Sequence, residues 1–303
     1  MLQLQRKLCE YYGEVCLSFW KVSDSPELRK SVEVIFEDIV RYSITAKGEV
    51  CENFRAALEP LLSARNKQVD GMIERILRPN IWRCLKSVNG IVRYNACKLF
   101  FSFYPVVTEG DLERGELLNV QLTTIADLIS DPSVPIRACA CKQALYIFSL
   151  FWSVFSKEYR KTNFGKIVDN ISRDPNSEVR SAVYEGMLHM VQCAEAVNAV
   201  ESAVKRFILW GINDNVVKVR LAAFQLLAAF KNHRYIKWWN VVQLQQVLER
   251  LEVEKVDSVK KKIAGLLVTR IFTSNTSDDE ILKRIIYMGN ISRMGAIKLH
   301  ECI

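Results

Sequence analysis

The chain has 303 residues, half of them hydrophobic and a quarter charged, with a formal net charge of +8. That balance excludes an intrinsically disordered chain, which lacks the apolar residues to build a core. Twelve Gly and seven Pro, no Pro after Pro175 and no long period-two stretch predict an all-α protein.

In chain order, Met1 to Arg6 leads into a mixed amphipathic stretch and not into a signal peptide. Residues 1–66 read as helices, broken near Ser23 to Pro26 and near Lys47-Gly48. From residue 67 onward the helices fall into pairs: 69–88 with 90–104, 116–130 with 134–155, 157–172 with 177–194, and 197–212 with 216–231. The last two pairs are 240–252 with 256–272 and 279–288 with 290–302. Loops are expected at 107–115 and 274–279, and Ser277 is placed to cap the helix that opens on Asp278-Asp279-Glu280. The longest apolar run, Ala144 to Phe155, is about a dozen residues, short of the ~20 that span a membrane.

One motif sets the pairing. Asp131-Pro-Ser-Val-Pro-Ile136-Arg137 returns as Asp174-Pro-Asn-Ser-Glu-Val179-Arg180, as Asp214-Asn-Val-Val-Lys-Val219-Arg220, and more weakly as Glu254-Lys-Val-Asp-Ser-Val259-Lys260. A partial copy without the acid ends at Val92-Arg93. The cations at 93, 137, 180, 220 and 260 are 44, 43, 40 and 40 residues apart, the period of stacked helix pairs of the HEAT or armadillo kind. The fold expected is therefore an all-α HEAT-repeat solenoid over 1–303, with atypical helices at 1–66 and helix-pair repeats at 67–303. After Arg220, Ala223, Leu226, Leu227 and Phe230 recur at helical spacing, with Val216 before them, and mark the apolar face.

The recurring cations admit two readings. They are a row of phosphate contacts, or they form a structural ladder in which Arg137, Arg180 and Arg220 pair with acids such as Asp131, Asp174 and Asp214; the regular acid favours the ladder. Trp82 and Trp152 read as core residues, whereas of the adjacent Trp238 and Trp239 one must face away from the other. Nine scattered cysteines without a CxxC pair read as reduced, buried thiols, not as a disulfide framework or a zinc site.

Catalytic chemistry has no foothold in the sequence. Three histidines, His189, His233 and His300, have no Cys or carboxylate at ligand spacing, and no GxSxG, HExxH or glycine-rich phosphate loop occurs. The chain reads as a non-enzyme without metal or cofactor. Its charge is concentrated: residues 217–270 hold eleven cations against four acids, +7. A local excess of this kind points to a polyanion, and Lys231, Arg234, Lys237, Lys260, Lys261 and Lys262 are the candidate DNA-backbone contacts. A merely solvated helix surface is the alternative for the lysine triplet.

Some landmarks are more specific than a repeat. Pro79-Asn-Ile-Trp82-Arg83-Cys-Leu85-Lys86 runs into Val92-Arg93-Tyr-Asn95-Ala96, and Ile236-Lys237-Trp238-Trp239 is followed by Val247-Leu248-Glu249-Arg250-Leu251-Glu252. Over roughly residues 60–303 these resemble the G2-type non-SMC HEAT subunit of condensin II. The resemblance implies a regulatory, non-catalytic subunit in mitotic chromosome condensation. It also implies as partners the kleisin, the SMC ATPase pair, the D-type HEAT subunit and duplex DNA, in the nucleus and away from membranes. Because family chains are several times longer, this one reads as a fragment or short form. The rival reading is a HEAT scaffold or transport adaptor that binds proteins and not DNA.

Overall fold

The computed structural model describes residues 2–108, 110–272 and 277–302, among which helices alternate with turns and no strand occurs. Two compact units divide between Ile136 and Arg137.

The first unit contains α1 (Leu2–Val22), α2 (Pro26–Thr45), α3 (Glu49–Ala56), α4 (Glu59–Ser63), α5 (Lys67–Leu77), α6 (Ile81–Leu85), α7 (Gly90–Phe103) and α8 (Asp111–Leu128), and ends in the first turn of α9 (Val134–Phe151). Three of them, α2, α5 and α7, start where the sequence offers a capping oxygen. Ser25 accepts from the Leu28 amide, Asn66 from Gln68 and Val69, and Asn89 from Ile91 and Val92. Helix α2 packs on α3, α5 and α7 around the fully buried Phe36, Val40, Ile44, Ile73 and Phe100. Gly13 lets α1 close on the Ala57 carbonyl, which occupies the place of a β-carbon. Where 69–88 reads as one helix, the chain stops at Leu77 and restarts at Ile81, because Pro79 cannot continue it. The expected loop at 107–115 is shorter than its polar sequence suggests, since α8 already begins at Asp111.

The second unit continues α9 into α10 (Lys157–Tyr159), a π turn (Arg160–Phe164), α11 (Gly165–Asp169) and a 3-10 turn (Ile171–Arg173). Then follow α12 (Ser177–Val191), α13 (Val197–Ile212), α14 (Val217–Ala229), α15 (Trp238–Val241), α16 (Leu244–Val253), α17 (Asp257–Ile271), α18 (Asp278–Ile291) and α19 (Arg293–Cys302). Second helices of successive pairs pack on one another, α12 on α14 and α14 on α17, while α13 and α16 back onto α14 and α17. Phe207, Leu226, Leu227, Phe230, Val247, Leu251 and Ile263 fill the strip between these layers. Val216 is 38% exposed and caps α14, so it lies outside the apolar face expected for it. Tyr184 fills the position a β-carbon on Gly211 would take and donates to the Phe207 carbonyl at 3.0 Å, locking α12 to α13.

Two expected straight helices are broken. The run 157–172 bends through the π turn, which accompanies the aromatic cluster of Phe148, Phe155, Tyr159 and Phe164. The run 240–252 is interrupted at Val242 and Gln243, both extended, before α16 restarts. Ser277 caps α18 through the Glu280 amide, and residues 273–276 of the expected loop at 274–279 lie outside the described residues.

Candidate functional site

Each motif acid sits in the turn between the two helices of a pair. Asp131, Asp174 and Asp214 accept the backbone amide two residues on, from Ser133, Asn176 and Val216, each at 2.8 Å. Glu254 does the same for Val256 at 3.0 Å. This closes an Asx-type turn and holds the carboxylate with both oxygens turned toward a cation. Arginine supplies it from one repeat earlier. Arg93 meets Asp131 with two bonds of 3.0 Å, Arg137 meets Asp174 at 2.9 and 3.2 Å, Arg180 meets Asp214 at 2.7 and 2.9 Å, and Arg220 meets Glu254 at 2.8 and 3.0 Å. Bidentate guanidinium–carboxylate pairs of this kind fix geometry as well as adding energy.

The same guanidinium also holds its own turn. Nη1 of Arg93 donates to the carbonyls of Ser87 and Val88, that of Arg180 to Asp174 and Pro175, and that of Arg220 to Asp214 and Asn215. One side chain thus ties its own turn to the next one in sequence. The final rung is the driest, with side-chain exposures of 8% for Arg220 and 1% for Glu254. Burial pushes the Glu254 carboxyl up, but the Arg220 guanidinium, the Val256 amide and Arg250 outweigh it and hold the group down at about 2. Burial likewise opposes ionisation of Asp214, and Arg180 with the Val216 amide holds it below the usual carboxylate range. Arg250, quoted in the sequence only as part of a landmark and of the basic segment, reaches Glu254 at 2.7 Å from one turn back on α16. The row ends at Lys260, which turns to Asp257 in its own helix at 3.1 Å.

The basic segment is partly consumed inside the fold. Arg220 and Arg250 are spent on Glu254, Lys218 pairs with Glu178, and Arg270 lies 4.9 Å from the centre of the Trp239 ring. Lys142 pairs with Glu185 across α9 and α12 at 2.9 Å. The six candidate DNA contacts do not form one cluster. Arg220 at the start of α14 binds Glu254 just before α17, and Trp239 beyond the end of α14 lies against Arg270 near the end of α17, so α14 and α17 run the same way. Lys260, Lys261 and Lys262 therefore sit at one end of this layer, and Lys231, Arg234 and Lys237 at the other. The two groups are separated by about the length of the 13-residue α14, roughly 20 Å. Lys231, Arg234, Lys261 and Lys262 are exposed, whereas Lys237 donates from Nζ to the His233 carbonyl at 2.7 Å.

The tryptophans divide by depth. Trp238 is fully buried and Trp152 is 7% exposed, while Trp239 is 38% exposed. Trp82 is half-buried, edge-on to Phe100. Among the described residues no group of His, Cys, Asp and Glu is arranged to hold a metal, and no helix is long and apolar enough to cross a membrane.

Stacked helix pairs joined turn to turn by a repeated Arg–carboxylate bond define a helical-repeat protein of the HEAT or armadillo class. Comparison with known proteins narrows this. A model of the family described as "Condensin II non structural maintenance of chromosomes subunit" matches residues 1–108. The chain is 22% identical over 304 residues to "Condensin-2 complex subunit G2" of Danio rerio and 23% identical over 308 residues to the subunit of the same name of Mus musculus, in each case over 98% of its length. It spans 26% of those relatives. Among solved structures, that of the S. pombe condensin Cnd3-Cnd2 subcomplex superposes with a TM-score of 0.64 at 17% identity, covering 99% of this chain and 37% of that one. The chain thus resembles the G2-type non-SMC subunit of condensin II. The likeness also reaches the first 59 residues, where the repeat motif is absent and the resemblance had not been read.

Proposed function

We propose that the chain is a non-catalytic, regulatory HEAT segment of condensin II that binds the kleisin subunit and duplex DNA in mitotic chromosome condensation and segregation. The observation that carries this reading is similarity to the G2 subunits along 98% of the chain. The SMC ATPase pair and the D-type HEAT subunit are the further partners, and the nucleus and mitotic chromosomes are the location. The +7 segment supplies the DNA contacts: Lys231, Arg234 and Lys237 at one end of the α14–α17 layer, Lys260, Lys261 and Lys262 at the other. With about 20 Å between them, the two groups reach phosphates that are not adjacent on the duplex. Such contacts are independent of sequence and weaken with salt.

A pull-down of the purified chain with the condensin II kleisin, repeated with duplex DNA at low and moderate salt, tests the reading. Kleisin capture together with salt-sensitive DNA binding is the expected result. Folded protein that captures neither leaves the protein-scaffold alternative standing. Charge reversal at Lys231, Lys261 and Lys262 is expected to abolish most of the DNA binding, and unchanged binding overturns the residue assignment.

A further inference from the structure

A groove of about 680 Å³ opens on a different face, between the broken helix α10–α11 and α13. Its neighbour α13 is an unbroken 16-residue helix, and among the described residues the π turn occurs in this repeat alone. The π turn Arg160–Phe164 widens the helix there, and π turns gather at functional sites. Trp152 and Phe164 form the apolar wall, edge to face at 5.3 Å. Arg160 lies 4.9 Å from the centre of the Trp152 ring, which holds its guanidinium at the groove. Lys161 is exposed beside it, and neither of the two has an acidic partner among the described residues. A β-carbon on Gly165, which lines the groove, would meet nothing, so the space above it is open. The single lining acid, Asp169, is taken by Arg206 through bonds of 2.7 and 2.8 Å.

We propose that this groove binds a short acidic peptide segment of a protein partner. Its carboxylates meet Arg160 and Lys161, and one apolar side chain rests against Trp152 and Phe164. An aromatic-walled pocket with a few convergent cations is the usual form of such a site. A nucleic acid fits less well. Arg206 is already paired with Asp169, which leaves the adjacent Arg160 and Lys161 as a short charged spot that suits one or two carboxylates and is too small to follow a continuous phosphate backbone. The groove is separate from the α14–α17 lysines, and its occupancy does not depend on the condensin reading.

Fluorescence anisotropy of the whole chain with a short fluorescein-labelled peptide, glutamates flanking one phenylalanine, tests this. Binding is expected at low salt, weaker at higher salt, and absent for the same peptide with glutamines. Lys161→Glu reverses a charge and Gly165→Leu fills the open space without touching one. Each is expected to weaken binding at least about tenfold, while Lys283→Glu, on another pocket, leaves it unchanged. Circular dichroism checks the fold, and if Gly165→Leu unfolds the chain, the exposed Lys161→Glu decides alone. Equal binding of the glutamine peptide, or full binding by Lys161→Glu, overturns the proposal. So does duplex DNA binding that is lost in Lys161→Glu when the peptide is not captured.

Discussion

Arg220 donates to four oxygens, two carbonyls of its own turn and both carboxylate oxygens of Glu254. A buried charge of this kind is costly to orphan. Glu254→Ala leaves Arg220 and Arg250 facing a dry cavity and is expected to cost about 3–5 kcal/mol in urea unfolding, whereas the double change Arg220→Met with Glu254→Leu recovers most of that loss. A pH series gives a second check. Glu254 titrates at about 2 in the fold, below the ~4.3 of an unfolded carboxylate. The stability it contributes is therefore complete above pH ~4.3 and is lost as pH falls toward 2, on the order of 3 kcal/mol. Glu254→Gln is expected to flatten the profile in that window. The residue types of this row were legible from spacing alone. Which acid each cation takes was not: that Arg93, Arg180 and Arg220 serve their own turns by carbonyls and the next turn's acid by a bidentate pair depends on helix stacking, which no single-repeat pattern contains.

At the scale of elements, the helix starts were the legible part where a capping residue preceded an apolar period, as at Ser277, while at Asn66 the helix opens two residues earlier than the apolar period alone places it. Asn66→Ala removes the acceptor of two amides and is expected to lower stability by about 1 kcal/mol. Close approaches were less visible. Gly211 carries no local signal of turn or positive φ, yet Tyr184 stands where its β-carbon would go. Gly211→Ala forces the ring away from the Phe207 carbonyl and is expected to cost about 1–3 kcal/mol by thermal unfolding despite the better helix propensity of alanine. The broken helices were illegible for another reason. The π turn of 157–172 leaves no mark in the sequence, because it needs neither Gly nor Pro and one inserted residue shifts the apolar face by only about 100°. The Val242-Gln243 break lacks Gly or Pro; its only sequence mark is Gln246, whose side chain accepts from the Gln243 amide at 3.2 Å.

Over the whole chain, charge was legible as a sum and not as a distribution. Eleven cations against four acids between 217 and 270 suggested one basic face, but the rung at Glu254 absorbs two of the cations and α14 separates the candidate contacts into two ends. Salt titration counts how many of the remaining cations meet phosphate. If three of the exposed cations each neutralise a phosphate, reversing Lys231, Lys261 and Lys262 lowers the slope of log K against log salt by about 2.7, and reversing the 261–262 pair alone by about 1.8. The Arg–acid ladder bears on a different matter, how such an array changes length over time. Three rungs offer the same Arg–Asp joint and the fourth an Arg–Glu one, so an inserted repeat bearing both partners is expected to join its neighbours by the same bond. The rungs carry no address. Neighbour order must then be written in features found at a single joint, such as the Tyr184–Gly211 fit, and the Lys260 position, where the arginine is missing, is where this interchangeable series of joints stops.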